Sequence, residues 1–230
     1  MNTGNITLQI FATLLHSDFI TKCILFVLIG MSIFSWALIF DKIFKFKLMT
    51  IKTSKFEKLF WSGDMLEDIY QKVKNATKCP SIVVFISAMQ EWTNSDVQTI
   101  IKANDVGRKN SLKDRLYDVM TVAVSRSIKK LRAGTSFLLI VSTTATLFGL
   151  LGTAWGISSC FNEISIMKDA TLITIAPGIS SSLVTTIVGM LTAIPATAAY
   201  YFIKSQINYY EEELDNFKLE VLNILSKEMD

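Results

Sequence analysis

The chain is poor in the residues from which soluble active sites are usually built. Among 230 residues there is one histidine, His16, and three cysteines, Cys23, Cys79 and Cys160. The cysteines have neither metal-ligand spacing nor the density of a disulfide framework. No glycine-rich phosphate loop or nucleophile elbow is present, so neither enzyme chemistry, a metal nor a cofactor is expected. His16 precedes the first apolar run and is expected at the outer interface, solvated. Proline is scarce too. None lies between Ser95 and the end of the second apolar run, so that stretch can be helical throughout, with Gly107 and Gly134 as its weak points.

The most informative absence is that of charge. Between Lys22 and Asp41 lie 18 uncharged residues, between Arg132 and Glu163 lie 30, and between Asp169 and Lys204 lie 34. A membrane crossing needs about 20 mostly apolar residues, so each run suffices. Mean hydropathy of +0.40 agrees with a chain that is not an ordinary soluble domain. The expected fold is an all-α integral membrane protein with three transmembrane helices, at 20–41, 135–160 and 171–203, and long cytoplasmic helical extensions. The first run has no basic segment before it and no small-residue cleavage site, which argues against a secretory signal.

Basic residues set the orientation, because Lys- and Arg-rich loops stay in the cytoplasm. The segment from Lys42 to Arg132 carries 18 of the 23 basic residues against nine acidic ones. Segment 1–19 and the loop 161–170, which holds Lys168, are therefore expected in the periplasm, and 42–134 and 204–230 in the cytoplasm. The net charge of +3 records this topology, with some attraction to lipid headgroups, and gives no support to nucleic-acid binding.

Outside the spans the pattern is helical. Trp36 approaches the interface, and Lys42, Lys45 and Lys47 are expected as its cytoplasmic anchors. Phe56, Leu59, Phe60, Leu66, Ile69 and Val73 recur at helical intervals, broken at Ser62 and Gly63, and a further helix should start after Cys79 and Pro80. Ser95 and Gln98 have capping-box spacing for a long helix carrying Ile100, Ile101, Leu112, Leu116 and Val119. In the tail, Ile207, Tyr210, Leu214, Phe217, Val221, Ile224 and Leu225 form an amphipathic stripe continuing the third span, with Glu211, Glu212 and Glu213 on a solvated face. No separate cytoplasmic domain is expected, only extensions of the membrane helices.

The second and third spans differ from the first in being rich in small and hydroxylated residues. Ser142, Thr143, Thr144, Thr146 and Thr153 lie in the second, and "APGISSSLVTTIVGMLTAIPA" (176–196) in the third. Gly178, Ser182, Thr185, Gly189, Thr192 and Ala196 follow steps of three and four and share one face. Such a face suits close helix packing or a wetted pathway whose hydroxyls hold water or relay protons. No uncharged run contains a titratable Asp, Glu, Lys, Arg or His. A proton path would need its acid from a partner.

The stretches "VLIGMSIFSWALIF", "KFEKLFWSGDMLEDIYQ", "GLLGTAWGI" (149–157) and "APGISSSLVTTIVGMLTAIPA" resemble the MotA/TolQ/ExbB proton-channel family, in order along the whole chain. "SWALI" and "FWSG" favour its TolQ branch. The resemblance implies a homopentamer in the bacterial inner membrane enclosing a TolR-like single-span partner that supplies one intramembrane Asp. It also implies a TolA-like, periplasm-spanning protein energised by proton flow, serving outer-membrane integrity and cell division. By position it assigns pore-facing places on the proton pathway to Thr153 and Thr186 and helix-breaking roles to Pro177, Gly178 and Pro195; from the stripe itself Ser182 and Thr185, with Ser181, are candidates for the pathway or the partner-facing surface, and Gly189 for packing. Two departures stand out: Ser181 occupies a position where the family usually has glutamate, and Thr146 one where it has proline. The alternatives are an ExbB-like energiser of TonB-dependent uptake, and a non-conducting scaffold.

Overall fold

The computed structural model describes residues 19–75, 79–95, 105–167 and 172–229, and among these there is no strand. The described residues form six helices: α1 (Phe19–Phe60), α2 (Leu66–Val73), α3 (Pro80–Asn94), α4 (Val106–Arg132), α5 (Thr135–Met167) and α6 (Leu172–Met229). His16, Gln98, Ile100, Ile101 and Lys168 lie outside the described residues. Among the described residues three helical stretches are long and apolar enough to cross a membrane. Their most apolar windows bury only 28%, 28% and 39% of their residues within the chain, which leaves most of each apolar face for lipid or another protein.

The described residues fall into two compact units. The first comprises 19–41 of α1, Gly134 with α5, and α6 as far as Phe202. Its core is Ile24 and Leu28 of α1, Val141 and Ala145 of α5, and Ala193 and Ala196 of α6. Phe34 meets Phe137 edge-on, with ring centroids 4.6 Å apart. Leu38 lies beside Gly134, so α1 and α5 run antiparallel. Gly134, at φ 81°, occupies the left-handed region that glycine enters without steric cost, and it separates α4 from α5. Thr146 sits in the interior of α5, which is unbroken from Thr135 to Met167.

The second unit comprises 42–60 of α1, then α2, α3, α4, and α6 from Ile203. The expected helical extensions are present, as the continuations of α1 and α6, and together with α2, α3 and α4 they enclose a core of their own. Phe56, Phe60, Phe85 and Phe217 bring α1, α3 and α6 together with ring centroids 5.1 to 6.0 Å apart. Leu112, Leu116 and Met120 of α4 and Val84 and Met89 of α3 are fully enclosed. The tail stripe is buried at Ile207, Tyr210, Leu214, Phe217, Val221 and Leu225, and half-buried at Ile224. The break after Phe60 turns through Gly63, at φ 84°, where α2 begins its return.

One local reading, that of Lys42, needs correction, and the Ser95–Gln98 capping box falls partly outside the described residues. Ser95 caps the C-terminal end of α3, its hydroxyl donating to the Glu91 carbonyl at 2.8 Å. The next described helix, α4, is N-capped by Asp105, whose carboxylate accepts from the Gly107 and Arg108 amides at 3.0 and 3.2 Å. Serine suits either helix end, because its hydroxyl can also donate to a carbonyl one turn back. Lys42 is not a solvated anchor like Lys45 and Lys47. It is 7% exposed, and Nζ donates to the Leu131 and Ala133 carbonyls at 2.7 and 2.6 Å, closing the C-terminal end of α4. Lys42→Met keeps the apolar stem but strands those carbonyls. It should cost about 1–3 kcal/mol, seen as a lower unfolding temperature in detergent; an unchanged transition would show that water replaces the ammonium.

Candidate functional site

The hydroxyl-rich stripe of α6 lies against α5, and the contact is built from glycines on both helices. A Cβ on Gly189 would lie 2.8 Å from the Ala145 carbonyl oxygen and 2.9 Å from Gly149 Cα. One on Gly149 would lie 3.2 Å from Thr186 Cα, and those on Gly152, Gly156 and Gly178 would collide with Thr185, Ser182 and Cys160. Numbers rise on α5 as they fall on α6, so the two helices are antiparallel. Only residues without a side chain let backbones come this close.

The hydroxyls in this seam are used locally. Ser182, Thr185 and Thr192 are essentially enclosed, and Ser181 is 7% exposed. Ser181 and Ser182 both donate to the Gly178 carbonyl, at 2.9 and 2.8 Å, and Thr185 donates to the Ser181 carbonyl at 3.2 Å. A hydroxyl bonded to its own helix is solvated without water, so this part of the stripe is packing surface. Gly189 is buried in the same seam and Gly178 half-buried; Pro195 is half-buried, further along α6, and Pro177 lies within α6 near its start.

Thr186 behaves differently. It is half-buried, and its hydroxyl crosses to α5 to donate to the Gly149 carbonyl at 2.8 Å. In an α-helix the carbonyl of residue 149 already accepts the amide of residue 153. Thr186 and Thr153 therefore converge on one carbonyl group, the first through its hydroxyl and the second through its backbone. The Thr153 hydroxyl, half-buried, donates to the Leu150 carbonyl at 2.7 Å. Ser142, Thr143 and Thr144 likewise bond carbonyls one turn back on α5, at 2.6 to 3.0 Å. A hydroxyl that donates this way keeps its lone pairs open as acceptors.

The acceptor Gly149 is absent from the residues singled out by the sequence. The signal was there: Gly149, Gly152 and Gly156, in steps of three and four, mirror Gly178, Ser182, Thr185 and Gly189. Among the described residues no group of His, Cys, Asp and Glu could hold a metal. Between residues 23–40, 135–160 and 172–203 no Asp, Glu, Lys, Arg or His occurs, so the seam offers hydroxyls and carbonyls but no group that changes charge near neutral pH.

Residues 84–216 match the family model described as the MotA/TolQ/ExbB proton channel family. The chain is 29% identical to a Tol-Pal system protein TolQ of Haemophilus influenzae, over 93% of this chain and 92% of that protein. It is 30% identical to the Tol-Pal system protein TolQ of Pseudomonas aeruginosa, over 80% and 78%. A biopolymer transport protein ExbB of Salmonella typhimurium is 26% identical over 94% and 85%.

Proposed function

The chain belongs to the MotA/TolQ/ExbB proton channel family, and from that premise we propose that it is the inner-membrane channel subunit of a Tol-Pal-type energy-transducing complex. In this reading proton-motive force is coupled to outer-membrane integrity and to constriction during division. The N-terminus faces the periplasm and the C-terminus the cytoplasm, in line with the basic excess of 42–132. Several copies, five by resemblance, surround a TolR-like single-span partner, and a TolA-like protein carries the work across the periplasm.

One observation carries the proposal. The α5–α6 seam supplies Thr186 and Thr153 around a shared carbonyl but no Asp, Glu, Lys, Arg or His, so in this reading the proton rides on a carboxylate brought by another protein. A Ser or Thr hydroxyl beside that carboxylate can accept from its protonated form and donate to its ionised form. The available energy is about 2.3 kcal/mol for each charge crossing 100 mV.

Affinity purification of the tagged chain from native membranes tests this directly. The expected companion is a small protein with one span and one Asp within it. An intact preparation without such a companion would favour a non-conducting scaffold. The similarity to ExbB over most of the chain favours one second reading, an energiser of outer-membrane uptake. A TonB-like companion in place of a TolA-like one would select it.

A further inference from the structure

The second unit carries a cavity of about 320 Å³ between α1 and α6. Glu57 of α1 and Glu213 and Glu220 of α6 line it, with Trp61, Tyr209 and Tyr210 as aromatic wall, and no lysine or arginine does. None of the three glutamates forms an ion pair among the described residues. Partial burial, then the like charges of Glu213 and Glu220, push the Glu57 carboxyl above its ordinary range. Glu213 in turn raises the Tyr209 phenol. Trp61 and Tyr209 are 63% and 57% exposed, an unusual cost at the surface of a cytoplasmic unit. Uncompensated carboxylates beside exposed aromatic faces favour an organic cation, which gains from both. The same glutamates form no metal-holding group.

The matching cations lie on α4 at the same level. Phe46 stacks on Tyr210 and Phe56 meets Phe217, so α1 and α6 run parallel. Arg132 pairs with Glu211 at 2.6 Å and Lys218 reaches Thr121 at 3.4 Å, so α4 runs antiparallel to both. The α4 stretch from Thr121 to Arg132 therefore spans the level of α6 from Glu211 to Lys218. On it Arg126, Lys129 and Lys130 are exposed and form no ion pair among the described residues. Copies inserted the same way in one bilayer meet side by side, at a shared level, through two different surfaces of each copy.

With the multi-copy assembly proposed above as its premise, we infer that this acidic, aromatic-walled cavity receives the basic side chains of Arg126, Lys129 and Lys130 from a second copy of the chain. Each copy then offers an acidic face and a basic one, and the pairing repeats around a closed ring.

Charge exchange tests the pairing, read as oligomer size in lipid nanodiscs. Glu57→Lys with Glu213→Lys, or Arg126→Glu with Lys130→Glu, should each cut the oligomeric fraction at least tenfold. All four changes in one chain should restore most of it. Oxidation of a chain bearing Glu213→Cys and Arg126→Cys should give a chain-to-chain disulfide ladder that the wild type, with its three native cysteines, does not give. Intact oligomers in both charge-reversed variants, or no rescue when the two are combined together with no ladder, would overturn the pairing and leave the assembly standing. A wild-type chain that is monomeric in nanodiscs would overturn both.

Discussion

Gly189→Ala should destabilise the protein even though alanine is the better helix former. The gain in helix propensity is about 1 kcal/mol. Against it stands a Cβ placed 2.8 Å from the Ala145 carbonyl oxygen and 2.9 Å from Gly149 Cα, both backbone atoms that cannot rotate away. Overpacking of this kind costs about 1–3 kcal/mol, and because α5 and α6 would have to separate along their whole glycine seam, the upper end applies. Gly189→Leu should abolish the folded helix pair. Gly30 provides the control, since a Cβ there meets nothing within 4 Å; Gly30→Ala should leave stability unchanged or raise it by up to about 1 kcal/mol. Unfolding temperatures in one detergent, compared across the three variants, check the order. Equal temperatures for Gly189→Ala and Gly30→Ala would mean the seam is looser than its distances state.

Thr186→Val should separate stability from function. Valine has nearly the same shape but cannot donate, and the Gly149 carbonyl then keeps only its helical partner. Loss of one such bond costs about 1 kcal/mol, too little to stop assembly. If the Thr186 hydroxyl meets the partner's carboxylate, proton-driven work should fall at least tenfold, seen as leakage of periplasmic protein through the outer membrane. Thr186→Ser keeps a hydroxyl at the same position and should retain most of it. A Thr186→Val strain with full complex and intact outer membrane would remove Thr186 from the proton pathway.

The parts of the molecule that were legible from sequence are those where one local constraint dominates. Lipid cannot solvate charge, so the uncharged runs announced three apolar helices. Helical periodicity announced the seam residues Ser182, Thr185 and Gly189, which share a face whatever they contact. What stayed hidden depends on partners distant in the chain. Gly149 matters because Thr186 donates to its carbonyl, 37 residues away. Lys42 differs from Lys45 and Lys47 only because the end of α4 comes back to it. The core of the second unit was missed for the same reason: its helices are individually short or amphipathic, and nothing local reveals that Phe56, Phe85 and Phe217 meet.

That aromatic cluster also bears on how the chain is made. Phe217 is synthesised long after Phe56 and Phe60, which it covers and which leave the ribosome some 160 residues earlier. Two further apolar helices must enter the membrane in between. Throughout that interval the earlier rings and Phe85 lack their final neighbour, and uncovered apolar surface of this kind is prone to aggregation. Completion of the second unit is thereby tied to completion of membrane insertion, and a chain stalled before α6 is finished would carry an exposed aromatic face, the kind of surface that chaperones and proteases act on.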